Sequence, residues 1–455
     1  MKLAILGGGG FRVPLVYRAL LGDLCTPRVE EVCLYDVDPA RLAVIDQVTA
    51  QMAATENPRL SAGYAAPRVE TTTDLGKALA DADFVFSAIR VGGLSGRTCD
   101  ERVALDLGVL GQETVGPGGI AYGLRTLPVA LQVAERVAAV APDAWFINFT
   151  NPAGLITQAV QTVLGERAIG ICDSPIALGR RAAHALGLSD DEVFFDYAGL
   201  NHLGWLQGLR VNGVDRLPEL LSDADRLHTF EEGRLFGADW LASLGAIPNE
   251  YLYYYDFTRE ALAAVGGSAR TRGEFLLHQQ RTFFAAADAN PQHSLRLWQD
   301  SHRERDATYM REARAAGDER DAADLQAGGY ESVALAIMAA IARGEPSRMI
   351  LGVRNGRALP GLSAEAVVEL PCLVDGTGIQ VEQPSLLTGR MMGLVQQVKA
   401  VEELTIRAVE QRSPALAIAA FAQHPLVDSV STARLLLDGY RSAMPAVDEV
   451  FTSRS

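Results

Sequence analysis

The sequence predicts an α/β fold: an N-terminal doubly wound parallel sheet followed by a mixed α+β half. Three observations carry this reading. Short apolar runs alternate with helical patterns over roughly residues 1–175, a glycine turn follows the first run, and the pattern changes near residue 193.

KLAIL, GGGG and FRVPLVYRALL read as a strand, a glycine turn and a helix, and EEVCLYDVD as a second strand ending in acid. PARLAVIDQVTAQMAA is helical in pattern, PRVETTTD a short strand and turn, and ADFVFSAI another apolar strand. AWFINFTNP and ERAIGICDSP each end one more, giving the alternation of a parallel, Rossmann-type sheet. In FFDYAGLNHLGWLQGLRVNG we read two strands around a polar bend, and in VVELPCLVDGTGIQ (367–380) a strand pair with a turn. Helical patterns cover 257–285, 328–343 and 385–422. The Arg-rich stretch 299–322 reads as a mobile loop or a solvated helix. We therefore divide the chain into a nucleotide-binding domain, 1–175, and a mixed catalytic and oligomerisation domain, 176–455.

With 455 residues and 48% hydrophobic content, the chain can bury a large core. Its net charge of -15 argues against nucleic acid or an anionic membrane as the main partner, because the long-range field repels both. An anionic ligand would need a local basic pocket. Five scattered cysteines fit a reducing cytoplasm better than a disulfide framework. MKLAIL runs directly into four glycines, so no apolar segment of signal-peptide length opens the sequence and a cytoplasmic location is expected. The uncharged stretch 144–165 is broken by Asn148, Asn151, Pro152 and Gln158, a poor membrane span.

A glycine turn between a strand and a helix lets the backbone and the helix N-terminus approach a pyrophosphate. Gly7 and Gly9 fit the first two positions of GxGxxG, and the third falls on Arg12. The turn Gly7, Gly8, Gly9, Gly10, Phe11 and Arg12 is thus the candidate dinucleotide site. Asp36, 27 residues after Gly9, is placed to accept from an adenosine ribose, which favours NAD over its phosphorylated form. The plainer alternative is a tight turn and a helix cap.

ICDSP sets Cys172 beside Asp173 at a strand end, and GLNHLGW puts His202 in a polar break of an apolar stretch. A thiol and an imidazole suit Mn, Fe, Co, Ni or Zn and leave coordination positions open. Taken singly, each is as well explained as a packed core residue.

The segments GGGG, IRVGGLSGR, GVLGQETVGPGGIAYGLRTLP, INFTNPAG, GICDSPI, GLNHLGW and IPNEYLYYY, with RGEF, ELPCLV, LTIRAV and AQHPLV after them, resemble the motifs of glycoside hydrolase family 4, in order and over almost the whole chain. The resemblance implies a glycosidase that departs from the two-carboxylate mechanism and uses NAD with a divalent metal, Mn first among the candidates. Hydride leaves sugar carbon 3 for NAD, the proton at carbon 2 becomes acidic and is removed with metal assistance, the aglycone is eliminated, water adds, and the hydride returns. The implied substrates are 6-phospho-β-glucosides, with 6-phospho-α-glucosides and other α-glycosides as alternatives.

Carried over residue by residue, the resemblance makes Cys172 and His202 the metal ligands, Tyr251 the base and Asp173 the general acid. Asp173 departs from several β-specific members, which carry Asn there. An N-cap role for it is the plainer reading. The register of the base among Tyr251, Tyr253, Tyr254 and Tyr255 is open to a slip. Glu113 and Asn151 match positions that contact hydroxyls or cofactor, while Arg97 and Arg272 match basic positions near the substrate, with Arg270 competing for the second role. Asn148, with Thr150, Ser87 and Arg90, flanks the strand ends that face the nicotinamide. A homodimer or homotetramer is implied. A plain NAD-dependent hydroxy-acid dehydrogenase and a non-catalytic sensor are the rival readings.

Overall fold

The computed structural model describes residues 1–268, 270–308 and 329–452. Its strands are β1 (Lys2–Leu6), β2 (Glu31–Tyr35), β3 (Arg68–Thr72), β4 (Phe84–Ser87), β5 (Trp145–Asn148), β6 (Ala168–Gly170), β7 (Phe194–Leu200), β8 (Leu203–Val211), β9 (Val214–Asp215), β10 (Ile247–Pro248), β11 (Ser347–Arg354), β12 (Val367–Asp375) and β13 (Gly378–Val381). They form one 13-stranded sheet in the order β10-β8-β7-β12-β11-β6-β5-β4-β1-β2-β3, with β13 beside β12 and β9 beside β8.

From β6 to β3 every neighbour is parallel, and from β6 to β10 every neighbour is antiparallel. The inner strands of the parallel part are apolar on both faces: Leu3 and Ile5 of β1 enter one core, Ala4 and Leu6 the other. The two parts meet at a single register pair, Gly352 with Gly170. A Cβ on Gly352 would lie 3.1 Å from the Gly170 Cα, and one on Gly170 would lie 2.8 Å from Thr157 Oγ1. Glycine on both sides therefore lets the sheet pass from parallel to antiparallel without a break. Cys172 follows this joint, and the β7–β8 turn carries His202 on the antiparallel side.

Helices Val13–Gly22 and Pro39–Thr55 join the parallel strands, the second capped by Asp38, which accepts from Ala40 N and Arg41 N. The pattern at 257–285 resolves into two helices, Thr258–Gly266 and Arg272–Ala289. The second begins in a capping box formed by Thr271 and Glu274. The pattern at 385–422 likewise divides into Gly389–Glu410 and Pro414–Gln423, with Arg412 at φ 48° between them. Of the stretch 299–322, residues up to Ala307 belong to helix Ser294–Ala307, and those beyond 308 lie outside the described residues. No described helix is long and apolar enough to cross a membrane.

A third core unites Pro117–Val140, Gly389–Glu410, Pro414–Gln423 and Val430–Ala443. Helix Gly93–Asp106 is tied to it by the fully buried pair Arg125 and Asp100, at 2.6 and 2.7 Å. His424, at the end of Pro414–Gln423, is buried, and burial depresses its pKa to about 3. Its ring stays neutral in the fold, whereas the unfolded chain takes up a proton below about pH 6.5. Stability is lost as pH falls through the unfolded value, so His424→Asn should spare about 2 kcal/mol of the loss between pH 7 and pH 5. Urea denaturation of both proteins at the two pH values checks this. Equal losses would reject it.

Candidate functional site

A cavity of about 640 Å³ runs along the carboxyl ends of the parallel strands, where an open α/β sheet receives its ligands. Residues that follow β1, β2, β4, β5 and β6 all line it: Gly7, Asp36, Arg90, Asn151 and Cys172 stand for the five. The antiparallel half closes the other side with His202, Tyr251, Arg272 and Arg305.

The glycine turn is built by contacts with β2. Gly7 adopts φ 84°, which favours glycine, and Gly7 N and Gly8 N both donate to Tyr35 O, at 2.9 and 2.7 Å. Gly9 N donates to Asp36 Oδ2 at 2.9 Å, and Asp38 N donates to Asp36 Oδ1 at 3.1 Å. Gly7, Gly10, Phe11, Arg12 and Asp36 face the cavity. Gly8 and Gly9 do not: a Cβ on Gly8 would lie 2.7 Å from the Leu34 Cβ, and one on Gly9 2.8 Å from the Arg41 Cβ, so both are packing positions. Arg12, in place of the third glycine, lays its guanidinium over the rings of Phe149 and Tyr330, at 5.8 and 5.3 Å.

The expectation for Asn148 is corrected. It is fully buried and absent from the cavity wall, because its Nδ2 donates to Thr150 O, Ala153 O and Thr157 Oγ1 while its Oδ1 accepts from Thr150 N. Thr150 is likewise occupied, with Ser87 Oγ at 3.0 Å and Ile89 N at 3.1 Å. What this network aims into the cavity is Asn151, on a cis bond to Pro152, whose buried Oδ1 has no hydrogen-bond partner among the described residues. An orphaned acceptor at that place fits a ligand hydroxyl.

Cys172 is buried, and burial pushes its thiol well above the usual range, with Glu369 and Asp173 adding to the effect. His202 stands in the tight turn between β7 and β8 at φ 62°, and burial lowers its pKa to about 4, so the ring is neutral. Its Nδ1 pairs with Thr114 Oγ1 at 3.0 Å, and its ring stacks on Tyr251 with centroids 3.8 Å apart. Among the described residues no three His, Cys, Asp or Glu side chains form a metal cage. A cation at Cys172 and His202 would therefore have two donors from this chain and an open side.

Asp173 begins helix Ser174–Ala185, yet its side chain makes no capping hydrogen bond and lines the cavity instead. Tyr251 is set by Asn249, whose Oδ1 accepts from Tyr251 N at 3.1 Å. Of the four tyrosines, Tyr251 and Tyr254 line the cavity, Tyr253 stacks on Phe257, and Tyr255 packs against His424. Burial would raise the Glu113 carboxyl, but Arg90 and Arg97 flank it and hold it down at about 2. Arg272 lines the cavity while Arg270 lies on an outer groove with Arg102 and Arg281. Thr114, Arg41 and Arg305 were not singled out in the sequence; Thr114 sits within the GQET segment, and nothing local marks the other two.

The profile described as family 4 glycosyl hydrolase matches residues 2–188, and that of the family's C-terminal domain matches residues 197–427. The chain is 30% identical to a 6-phospho-alpha-glucosidase of Lacticaseibacillus paracasei, covering 96% of both. It is 26% identical to the 6-phospho-beta-glucosidase of Thermotoga maritima, solved with manganese, NAD and glucose-6-phosphate, with a TM-score of 0.79 over 98% of both chains. A 6-phospho-alpha-glucosidase from gut microorganisms, in complex with NAD and glucose-6-phosphate, is 25% identical with a TM-score of 0.80 over 97% of both. Relatives of either anomeric preference thus stand at similar distance. The two profile matches and the full-length relatives show that this chain belongs to the family 4 glycosyl hydrolases.

Proposed function

We propose that this protein hydrolyses 6-phosphorylated glucosides with the help of NAD and a divalent cation, manganese being the proposed ion. The observation that carries the reading is the cavity itself, which gathers the glycine turn with Asp36, the Cys172 and His202 pair, and a set of arginines in a chain of net charge -15. Relatives solved with NAD, manganese and glucose-6-phosphate support it. When bound, NAD supplies a reversible hydride acceptor and the cation supplies Lewis acidity.

In this reading Gly7, Gly10, Phe11 and Arg12, with the N-terminus of helix Val13–Gly22, hold the pyrophosphate, and Asp36 accepts from the adenosine ribose. Cys172 Sγ and His202 hold the cation; with Nδ1 engaged by Thr114, Nε2 is the ring nitrogen for it. Tyr251, stacked on His202, takes the proton at carbon 2, and Asp173 delivers one to the leaving oxygen. Asn151 and Glu113 orient hydroxyls, Arg97 provides positive charge for the phosphate, and Arg272 borders the same side of the cavity. We extend the proposal to a homodimer or homotetramer on the resemblance alone.

For the anomer, the β reading rests on GGGGFRVPLVYRAL and ICDSPIALGRR, and the α reading is favoured by Asp173, a carboxyl in the cavity wall. Purified protein is assayed with 4-nitrophenyl 6-phospho-β-glucoside and its α-anomer, with NAD and Mn under reducing conditions, then without each addition. We expect nitrophenol release that requires both additions, without net NADH. Accumulation of NADH and no release would return the dehydrogenase reading, and the faster anomer decides between the two glucosidases.

A further inference from the structure

Helix Ser294–Ala307 lies against the glycine turn: Trp298 Nε1 donates to Phe11 O at 2.7 Å, and His302 stacks on the Phe11 ring with centroids 6.5 Å apart. The last turn of this helix brings Arg305 into the cavity wall. Helix ends leave carbonyls without partners, and here one is taken by a residue expected to touch the substrate. Arg272 Nη2 donates to Arg305 O at 2.9 Å, and its Nη1 donates to Thr308 Oγ1 at 2.5 Å. The Arg272 guanidinium thus ties down the helix end that carries Arg305.

The Arg305 side chain makes no ion pair or hydrogen bond among the described residues. Burial lowers its pKa well below the usual value, and Arg12, Arg272 and Arg97 lower it further, with Glu113 and the neighbouring Asp306 opposing. That carboxylate is already shared between Arg90 and Arg97. Converging cations in a partly desolvated wall are costly until an anion neutralises them. Arg97, Arg272 and Glu113 stand on the sugar side of the cavity as proposed above. Arg12, from the turn, directs its guanidinium onto Phe149 and Tyr330.

The geometry points to Arg305 as a residue that grips the 6-phosphate of the sugar, with Arg272 as a positioning residue that fixes the helix end beneath it. This rests on the 6-phosphoglucoside reading. A planar guanidinium matches a phosphate with two parallel hydrogen bonds, which a lysine cannot reproduce.

The test is calorimetric binding of glucose 6-phosphate and of glucose to the full chain, with NAD and Mn present, and of NAD alone. Arg305→Gln should weaken glucose 6-phosphate roughly 100-fold and Arg305→Lys about 10-fold, leaving glucose and NAD unchanged. Unchanged NAD affinity reports that each variant is folded. Because Arg272 acts through Arg305, Arg272→Gln should weaken glucose 6-phosphate in the native background and add little in the Arg305→Gln background. Wild-type affinity in Arg305→Gln, or a loss that falls on NAD instead, overturns the Arg305 assignment, and additive losses overturn the positioning role of Arg272. A wild-type protein that binds glucose as tightly as its 6-phosphate and cleaves no 6-phosphoglucoside overturns the underlying reading.

Discussion

Cys172→Ser should abolish metal-dependent turnover, lowering kcat/KM by roughly a thousandfold or more, while the protein still folds and binds NAD. The thiol follows the Gly170–Gly352 joint of the sheet, is buried, and shares its cavity with His202. With two donors among the described residues, losing one leaves a cation on a single imidazole, and a neutral serine hydroxyl does not supply the negative charge that a thiolate brings to a divalent ion. Sulfur to oxygen keeps the shape of a buried side chain, so gross unfolding is not the expected result. Equilibrium dialysis of Mn, with NAD binding as the control, separates the outcomes. A serine variant that binds Mn and turns over normally would remove the metal assignment. Loss of activity with intact Mn binding would instead move Cys172 to a substrate contact.

The parallel half of the fold was legible because its inner strands are short, apolar on both faces and separated by helical periods, as β1 and helix Pro39–Thr55 illustrate. Helix Gly93–Asp106 and the start of Pro117–Val140 escaped, since GLSG and PGGIAYG mask their period with glycines. A Cβ on Gly118 would lie 2.1 Å from Gln112 O and one on Gly119 2.4 Å from Thr114 O, so these two glycines serve close packing. Cys172 and His202 are thirty positions apart, and only the sheet order, with β7 reached through β12 and β11, brings them to one cavity. Local chemistry misled at Asn148: an amide at a strand end has the composition of a ligand, yet its donors and acceptor are consumed by the turn it holds. At Arg270 and Arg272 the deciding signal was present in TRGE. Thr271 as N-cap with Glu274 fixes where the helix begins, so Arg272 starts the helix facing the cavity and Arg270 is left outside. Arg305 gave no signal, because an arginine in a polar helix reads as solvated charge until the opposing elements are known.

Tyr251→Phe should lower kcat by about 10²- to 10⁴-fold, the range for removing a positioned acid or base, with little change in KM or in Mn affinity. The phenyl ring retains the 3.8 Å stack on His202, so the imidazole keeps its place and only the hydroxyl is lost. A free phenol is a poor base at neutral pH and needs neighbouring positive charge. Arg97 is close enough to Tyr251 for the two to interact electrostatically, and a cation at His202 would add to it. Two controls make the result specific. Tyr251→Ala should also weaken Mn, because the stack goes with the ring, and Tyr254→Phe, at the other tyrosine of the cavity wall, should leave kcat within about threefold of wild type. Deuterium uptake at carbon 2 during turnover in D₂O reads the proton transfer directly, and it should slow in Tyr251→Phe in step with kcat. Wild-type kcat in Tyr251→Phe together with a collapse in Tyr254→Phe would move the base to Tyr254. If neither tyrosine matters, proton removal at carbon 2 belongs to another group, and the stack on His202 serves only to orient that ring.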